Sequence, residues 1–576
     1  MEGLKYSEII KKNNQLAEIV GDVDPYRISI LSNITCNQLQ YVLSYYLRKA
    51  KLNPTIKIGD YDNIIQDSYK SANEQLVIIN YDLANILNKY NNFFEDFDQE
   101  QINSLFKSIT NDIDLVISNL SQVPSIVFNT FSSSSIYVNS VTPSKVTIFE
   151  NKLNEYLYSK NETNLNILDI NLVVAKIGYT DAFDFRMFYL SKTLYTIPFW
   201  KEYVYGLSSI VFKNTGRLKK AIIFDCDNTL WKGVLGEDGM QGIDMDPQSK
   251  IGQIYNKVQQ IIVWLSKQGV IIGICSKNNL SDIDEVLLKH SDITLKKNHI
   301  VISKVNWQDK ATNLRNIAKE LNIGLDSLIF VDDSSFEINL IKEQLPEILT
   351  LQVPTSIHEY PNMLLKLVQS NFYLSGDKND IDKTQQYKTQ FQREEEKTNH
   401  QSLEDYLSNI GIEIEIRKNE SLQIPRISQL TQKTNQFNLT TKRYTENQIE
   451  DYINKNNDTV FSVFVKDNFG ESGLTAVIIV NENGKVANID SFIMSCRIMG
   501  RNIEKAIMNH LIKRYQDKGF TEFTAAYFPT LKNKPVLSFY EDSGFEIIRE
   551  DNNNKYYKTN ISEYLFEDLS YIKIND

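Results

Sequence analysis

From Arg27 to about Asn80, short apolar runs and stretches of helical spacing take turns. RISIL, PTIKI and EQLVIIN read as strands, and NQLQYVLSYYLRKA carries apolar residues at helical intervals. A long helical segment near Asp98 to Leu120 follows, then the strand SIVFN, the helix-like PSKVTIFENKLNEYLYSK and the apolar NLNILDI. Strands separated by helices predict a parallel sheet covered on both faces, so residues 1–215 are expected to form a doubly wound α/β domain. A second series (KKAIIFD, VIIGICS, HIVIS, SLIFVDD and ILTLQV), with one helical segment between neighbours, predicts another parallel sheet over 216–372. Residues 373–400 are polar, charged and nearly free of aliphatic side chains, which suits a linker or exposed helix. The order then changes. IEIEIRK, TVFSVFVKD, LTAVIIVN and KVANIDSFIMS are consecutive strands, followed by the helix NIEKAIMNHLIKRYQDKG and the strand FTEFTAAYF, so 401–576 is expected to be an α+β domain.

Composition narrows the function classes. The 576 residues exceed one ordinary core, and 42% hydrophobic with 23% charged residues is the balance of a globular chain. The net charge of -11, without a dense block of Lys and Arg, argues against nucleic acid as a partner. No run approaches the ~18 to 20 uncharged apolar residues of a membrane span. The start, MEGLKYSEIIKKNNQ, lacks the features of a signal peptide, so a cytoplasmic location is expected. Four cysteines (Cys36, Cys226, Cys275 and Cys496) lie far apart with no CxxC pair, which excludes a zinc ribbon and disfavours a disulfide framework.

The middle domain carries the densest chemistry. Asp225 and Asp227 end its first strand, Ser276 closes the second, Lys310 opens the helix DKATNLRNIAKEL, and Asp332 and Asp333 end SLIFVDD. In an open parallel sheet these positions share the carboxyl edge, where active sites lie. Carboxylates at i and i+2 can divide nucleophilic attack on phosphorus from acid/base work, and further carboxylates can hold a divalent cation. In order and spacing the set resembles the four motifs of the haloacid dehalogenase superfamily of phosphohydrolases. That resemblance implies Asp225 as nucleophile, Asp227 as acid/base, and Ser276 and Lys310 as phosphate partners. It also implies Mg2+ held by Asp225, Asp332 and the backbone carbonyl of Asp227, with Asp333 or Glu337 as a second acidic position. Asn278, in CSKNN, is a further substrate-binding candidate. The spacing leaves no room for a cap domain, so the third domain is expected to cover the site.

In the third domain, SCRIMGRN lies between a strand and a helix and resembles the acetyltransferase (GNAT) layout, whose Q/R-x-x-G-x-G/A pattern receives a pyrophosphate. Here Asn502 replaces the last small residue. Cys496, before Arg497 and near the expected helix start, is the candidate acyl-bearing thiol; burial as a small hydrophobe is the alternative. Arg497 and Arg501 could hold a substrate phosphate or a carrier, or be surface charges. Thr434, Asn435 and Asn438 offer donors to a substrate, or form turns.

DCDNTLWKGVLGEDG, CSKNN, VNWQDKATNL, FVDDSSFE, QLTQKTNQFNLTTKRYT, DNFGESGL and SCRIMGRNIE together resemble the FkbH-like (HAD-IIIC) glyceryl transferases/phosphatases. The resemblance implies that a glyceryl unit passes from 1,3-bisphosphoglycerate to the cysteine, that phosphate is removed, and that an acyl carrier protein takes the acyl group on its phosphopantetheine thiol. The arm is expected in the cleft where coenzyme A would lie. A capless phosphatase with a structural third domain is the rival reading, and a scaffold without turnover is another. The first domain, with Ser32 just after the strand in ISILSNIT, resembles the SGNH hydrolases. All five histidines fall at or after His290, so it can hold no Ser-His pair and is expected to be non-catalytic.

Overall fold

The computed structural model describes residues 3–21, 23–136, 142–374, 403–455, 457–530 and 532–575. The expected linker 373–400 falls almost wholly on 375–402, outside the described residues. The chain divides into two units: Met1–Asn214 with Tyr444–Gln448, and Thr215–Arg443 with Ile449–Asp576.

The first unit is built on β1 (Pro25–Ser32), β2 (Asn53–Ile58), β3 (Leu76–Asn80), β4 (Ile126–Asn129) and β5 (Leu165–Leu168), in the order β2-β1-β3-β4-β5. Every neighbouring pair is parallel. β3 and β4 are buried along their whole length, as strands with helices on both faces must be.

The second unit contains two sheets. The first holds β6 (Ala221–Phe224), β7 (Ile271–Ser276), β8 (Ile302–Val305), β9 (Leu328–Asp332) and β10 (Leu349–Gln352), ordered β10-β9-β6-β7-β8 and parallel throughout. The central strands β6, β7 and β9 are fully buried, which explains their unbroken apolar runs. Gly273 in β7 lets them close up: a Cβ there would meet Ile223 at 2.7 Å and Ile302 at 2.8 Å. Chain reversal at β6 therefore brings the carboxyl ends of β6, β7 and β9 together at one edge.

The second sheet carries β11 (Glu413–Lys418), β12 (Phe437–Asn438), β13 (Asp458–Asp467), β14 (Gly470–Asn483), β15 (Val486–Met494), β16 (Glu522–Tyr527), β17 (Glu546–Asp551), β18 (Asn554–Asn560) and β19 (Lys573–Asn575). β13, β14 and β15 form antiparallel hairpins, and the helix Ile503–Asp517 packs Ile507, Leu511 and Tyr515 into their core. β16 runs parallel to β15, but only from Val486–Ile489 against Glu522–Ala525. Beyond that point the chain's own Phe437–Leu439 fills the space: Phe437 and Asn438 pair with Met494 and Ile493, Leu439 N–H donates to Phe492 O at 3.3 Å, and Phe528 N–H donates to Leu439 O at 2.8 Å.

Candidate active site

Loop and helix caps place each catalytic-edge side chain. The helix Lys310–Glu320 is capped by Asp309, whose carboxylate accepts from Thr312 N–H at 2.8 Å. Lys310 therefore occupies the first helical position, and its buried ammonium reaches Asp225 at 2.9 Å and Asp332 at 2.6 Å. A cation at a helix amino terminus opposes the helix dipole; two carboxylates offset that cost. They also hold the Lys310 ammonium in its charged form against burial. Asp332 Oδ1 accepts from Ser334 N–H at 2.8 Å, and Ser334 in turn caps the helix Ser335–Gln344.

Asp227 is oriented from three directions. Its Oδ1 accepts from Trp231 Nε1 and from Leu235 N–H, both at 3.0 Å, and its Oδ2 accepts from Asn278 Nδ2 at 3.0 Å. Asn278 Nδ2 also lies 3.1 Å from Ser276 Oγ, and Ser276 hydrogen-bonds Asp225. The turn after Asp227 is held at Asn228, with φ +50, whose side chain accepts from Gly233 N–H at 3.1 Å and whose carbonyl accepts from Tyr255 at 3.2 Å. Trp231 reads as core in the sequence, and its place four residues after Asp227 is the one local signal of a role at the site.

Burial pushes the Asp225 carboxyl up to about 6, with Lys310 pulling against it. Asp332 and Asp333 are raised by the same desolvation. Asp225, Asp332 and Asp333 each offer a carboxylate oxygen within 4.8 Å of the others. Three hard oxygen donors on one edge, with their charge uncomfortable in isolation, fit a magnesium-like divalent cation. Glu337, the alternative second acid, instead pairs with Lys277 at 2.7 Å. Cys226 and Cys275 are buried beside this site and their thiols are driven up, Cys275 to about 12, as expected of packing residues.

The sequence-expected residues of the third domain do not join this cluster. Cys496 opens a short 3-10 turn, Cys496–Ile498, and the long helix begins only at Ile503. The expected helix-start position for Cys496 is therefore corrected: a helix dipole acts over its first turn, and Cys496 lies outside it. Arg497 Nε lies 3.2 Å from Ser495 Oγ; Arg501 is buried against Asp467 at 3.1 Å and donates to Arg497 O at 2.8 Å. Asn435 Nδ2 donates to Gly216 O at 3.1 Å, and Asn438 Nδ2 to Lys442 O at 3.1 Å, while Thr434 is buried.

The third domain also docks on the end of the phosphatase-like sheet opposite to the one expected. Asn322 Nδ2 donates to Cys496 O at 3.0 Å, and Lys532 pairs with Asp326 at 2.9 Å and donates to Gly216 O at 2.9 Å. Asn322 and Asp326 precede β9 and Gly216 precedes β6, so these contacts lie at the amino ends of the strands. Asp225 is at the carboxyl end, roughly 13 Å of strand away. The expected cover over the catalytic edge is not formed by these contacts, because the docking groups belong to loops at the other edge.

In the first unit, Ser32 ends β1 and its hydroxyl donates to Asn80 O at 3.3 Å, while the buried Asp82 accepts from Tyr195 at 2.7 Å. Among the described residues no helix is long and apolar enough to cross a membrane.

Comparison with known proteins supports part of this picture. Residues 217–351 match the family model described as acid phosphatase. The chain is similar to the solved amino-terminal part of the protein BF1531 from Bacteroides fragilis, which contains a phosphatase domain complexed with Mg. That likeness has 22% identity, 65% of this chain and 100% of that one, and a TM-score of 0.57. Other similar structures are the ribosomal-protein-S18-alanine N-acetyltransferase of Escherichia coli (13% identity, 27% of this chain, 97% of that one, TM-score 0.21) and the paia N-acetyltransferase of Thermoplasma acidophilum (17%, 26%, 98%, 0.20). Comparison with the curated proteins gives no match. The stretch 217–351 is accordingly similar to acid phosphatases and lies within a multidomain α/β chain.

Proposed function

We propose that the protein is a magnesium-dependent phosphatase whose catalytic edge serves a glyceryl transferase. The observation that carries the phosphatase reading is the placement of Lys310 between Asp225 and Asp332, with Asp333 beside them and Asp227 held separately by Trp231, Leu235 and Asn278. Asp225 attacks phosphorus to give an aspartyl phosphate as the bond to the leaving oxygen breaks. Asp227 protonates that oxygen and then takes a proton from the water that hydrolyses the phosphoenzyme. Lys310 and Ser276 orient phosphate oxygens. A magnesium ion held by Asp225, Asp332, Asp333 and the Asp227 carbonyl would neutralise charge on those oxygens.

The substrate reading rests on the FkbH-like resemblance. The Cys496 thiolate attacks the acyl carbon of 1,3-bisphosphoglycerate and takes the 3-phosphoglyceryl group as a thioester as inorganic phosphate departs, the phosphate left on the glyceryl unit is removed at Asp225, and an acyl carrier protein receives the glyceryl group in the cytoplasm. With Cys496 tied to the far end of the sheet, phosphate removal before transfer needs a rotation of the third domain, and removal after transfer needs the carrier's phosphopantetheine arm to visit both sites. The same observation favours the second reading, a capless phosphatase whose third domain is structural. We read the first domain as a non-catalytic SGNH-like module, since Ser32 has no imidazole partner there. Intact-mass measurement of enzyme and carrier after incubation with 1,3-bisphosphoglycerate and magnesium separates the readings: a glyceryl adduct on both supports transfer, and phosphate release without adduct supports the plain phosphatase.

A further inference from the structure

In a chain of net charge -11, four cations (Arg217, Lys219, Lys220 and Lys532) gather around the loop carboxylate Asp326 at the amino edge of the phosphatase sheet, and Arg443 lies beside Gly216 next to them. Lys532 Nζ reaches Asp326 Oδ2 at 2.9 Å and Gly216 O at 2.9 Å. Lys219 Nζ donates to the Asp326 main-chain oxygen at 2.7 Å and also feels the Asp326 carboxylate. Asp326 also feels Lys220, and Lys532 feels both Lys220 and Arg217. Arg443 lies on the other side of Gly216: its guanidinium donates to Asn435 Oδ1 at 2.7 Å and to the main-chain oxygens of Thr431 and Gln432, and Asn435 donates to Gly216 O. Asp326 is the carboxylate that Arg217, Lys219, Lys220 and Lys532 share, and it is nearly half exposed, with Lys532 one-third exposed. The cluster is therefore partly desolvated yet reachable from solvent.

Such an assembly carries an excess of positive charge that solvent only partly screens. Its consequence shows on the lysines: burial, aided by Lys532, pushes Lys219 down to about 8, and Lys532 is lowered by burial as well. An anion with several acceptor oxygens would relieve this repulsion, and lysine and arginine together suit a phosphate group. Asn322, which holds the Cys496 carbonyl, precedes Asp326 in the same loop between the helix Lys310–Glu320 and β9.

We infer that Arg217, Lys219, Lys220, Arg443 and Lys532 form a phosphate-binding site, separate from the Asp225 site, for a phosphomonoester or acyl phosphate brought to the Cys496 turn. The inference deepens the acyl-transfer reading but not the phosphatase reading, since the cluster lies at the opposite sheet edge. Two sources share the chemistry: the acyl phosphate donor and the phosphate of a pantetheine arm.

The test uses the full chain in EDTA, which silences a metal-dependent Asp225 site. Binding of acetyl phosphate, 4′-phosphopantetheine and unphosphorylated pantetheine is followed by isothermal titration at low and moderate salt. Wild type should bind at least one phosphorylated probe, more weakly as salt rises, and not pantetheine. Lys219→Gln should weaken that binding at least fivefold; if it fails to fold, Lys220→Gln replaces it. Preference for acetyl phosphate assigns the site to the donor, and preference for 4′-phosphopantetheine assigns it to the arm. Absence of binding by both phosphates, or equal affinity in folded wild type and variant, overturns the site. Loss of glyceryl capture with phosphate binding intact would instead sink the acyl-transfer reading alone.

Discussion

The side-chain amide of Asn322 holds the main-chain carbonyl of Cys496 at 3.0 Å, which fixes the cysteine at the end of the phosphatase sheet that Asp225 does not occupy. A direct hand-over between the two residues across one cleft is incompatible with this arrangement. Any chemistry that couples them needs a mobile carrier or a rotation of the third domain.

Separate placement makes the two activities separable. Cys496→Ala should abolish any glyceryl adduct on the enzyme, read by intact mass, while phosphate release from a small test phosphate continues within about twofold, because distant sites with no shared partner behave independently. If phosphate release collapses with the adduct, the cysteine is a packing residue.

Asp225→Asn should lower phosphate release by at least about 10³-fold, the scale of losing a catalytic nucleophile, since an amide cannot form the aspartyl phosphate. Chelation of magnesium should do the same to the wild type. Metal-independent turnover would remove Asp332 and Asp333 from the mechanism.

The raised Asp225 carboxyl sets a pH signature with opposite signs for activity and stability. As nucleophile it must be ionised, so phosphate release should climb with pH and level off above about 6, and bound magnesium should move the limb lower. In the metal-free protein the folded carboxyl binds its proton more tightly than the unfolded one. Its contribution to stability is therefore present below the ordinary carboxylate range and lost as pH rises through about 6. Thermal melts of wild type and Asp225→Asn should diverge in favour of the variant across that window. Parallel melts would show that the carboxylate is not desolvated.

The strands and the residues at their shared carboxyl edge were legible where burial is two-sided. AIIF, IIGICS and LIFVD are apolar because helices cover both faces, and the motif residues follow them directly. β17 was not legible because all six of its residues are exposed and carry no alternation. β12, two residues long, is made by tertiary pairing with Met494 and Ile493 and not by local preference. Domain docking is not legible for a related reason. It rests on single polar groups, Asn322, Asp326 and Lys532, whose partners are remote in sequence and leave no periodic trace.

Arg501 illustrates how burial decides between a substrate contact and a structural pair. The sequence leaves both open, but its guanidinium is spoken for by Asp467 at 3.1 Å and by Arg497 O at 2.8 Å, with both charged side chains at most 9% exposed. Removing one member of a buried pair leaves the other charge without compensation, at a cost of about 3 to 5 kcal/mol. Arg501→Met should therefore shift the denaturant midpoint of the second unit well below wild type, and Arg501→Lys should recover only part of the loss because an ammonium cannot serve both acceptors in the same fork geometry. Arg497→Ala, whose side chain meets Ser495 Oγ at 3.2 Å in this turn, should leave the midpoint within about 0.5 kcal/mol of wild type. Equal, small shifts for Arg501→Met and Arg497→Ala would return Arg501 to the substrate-contact reading.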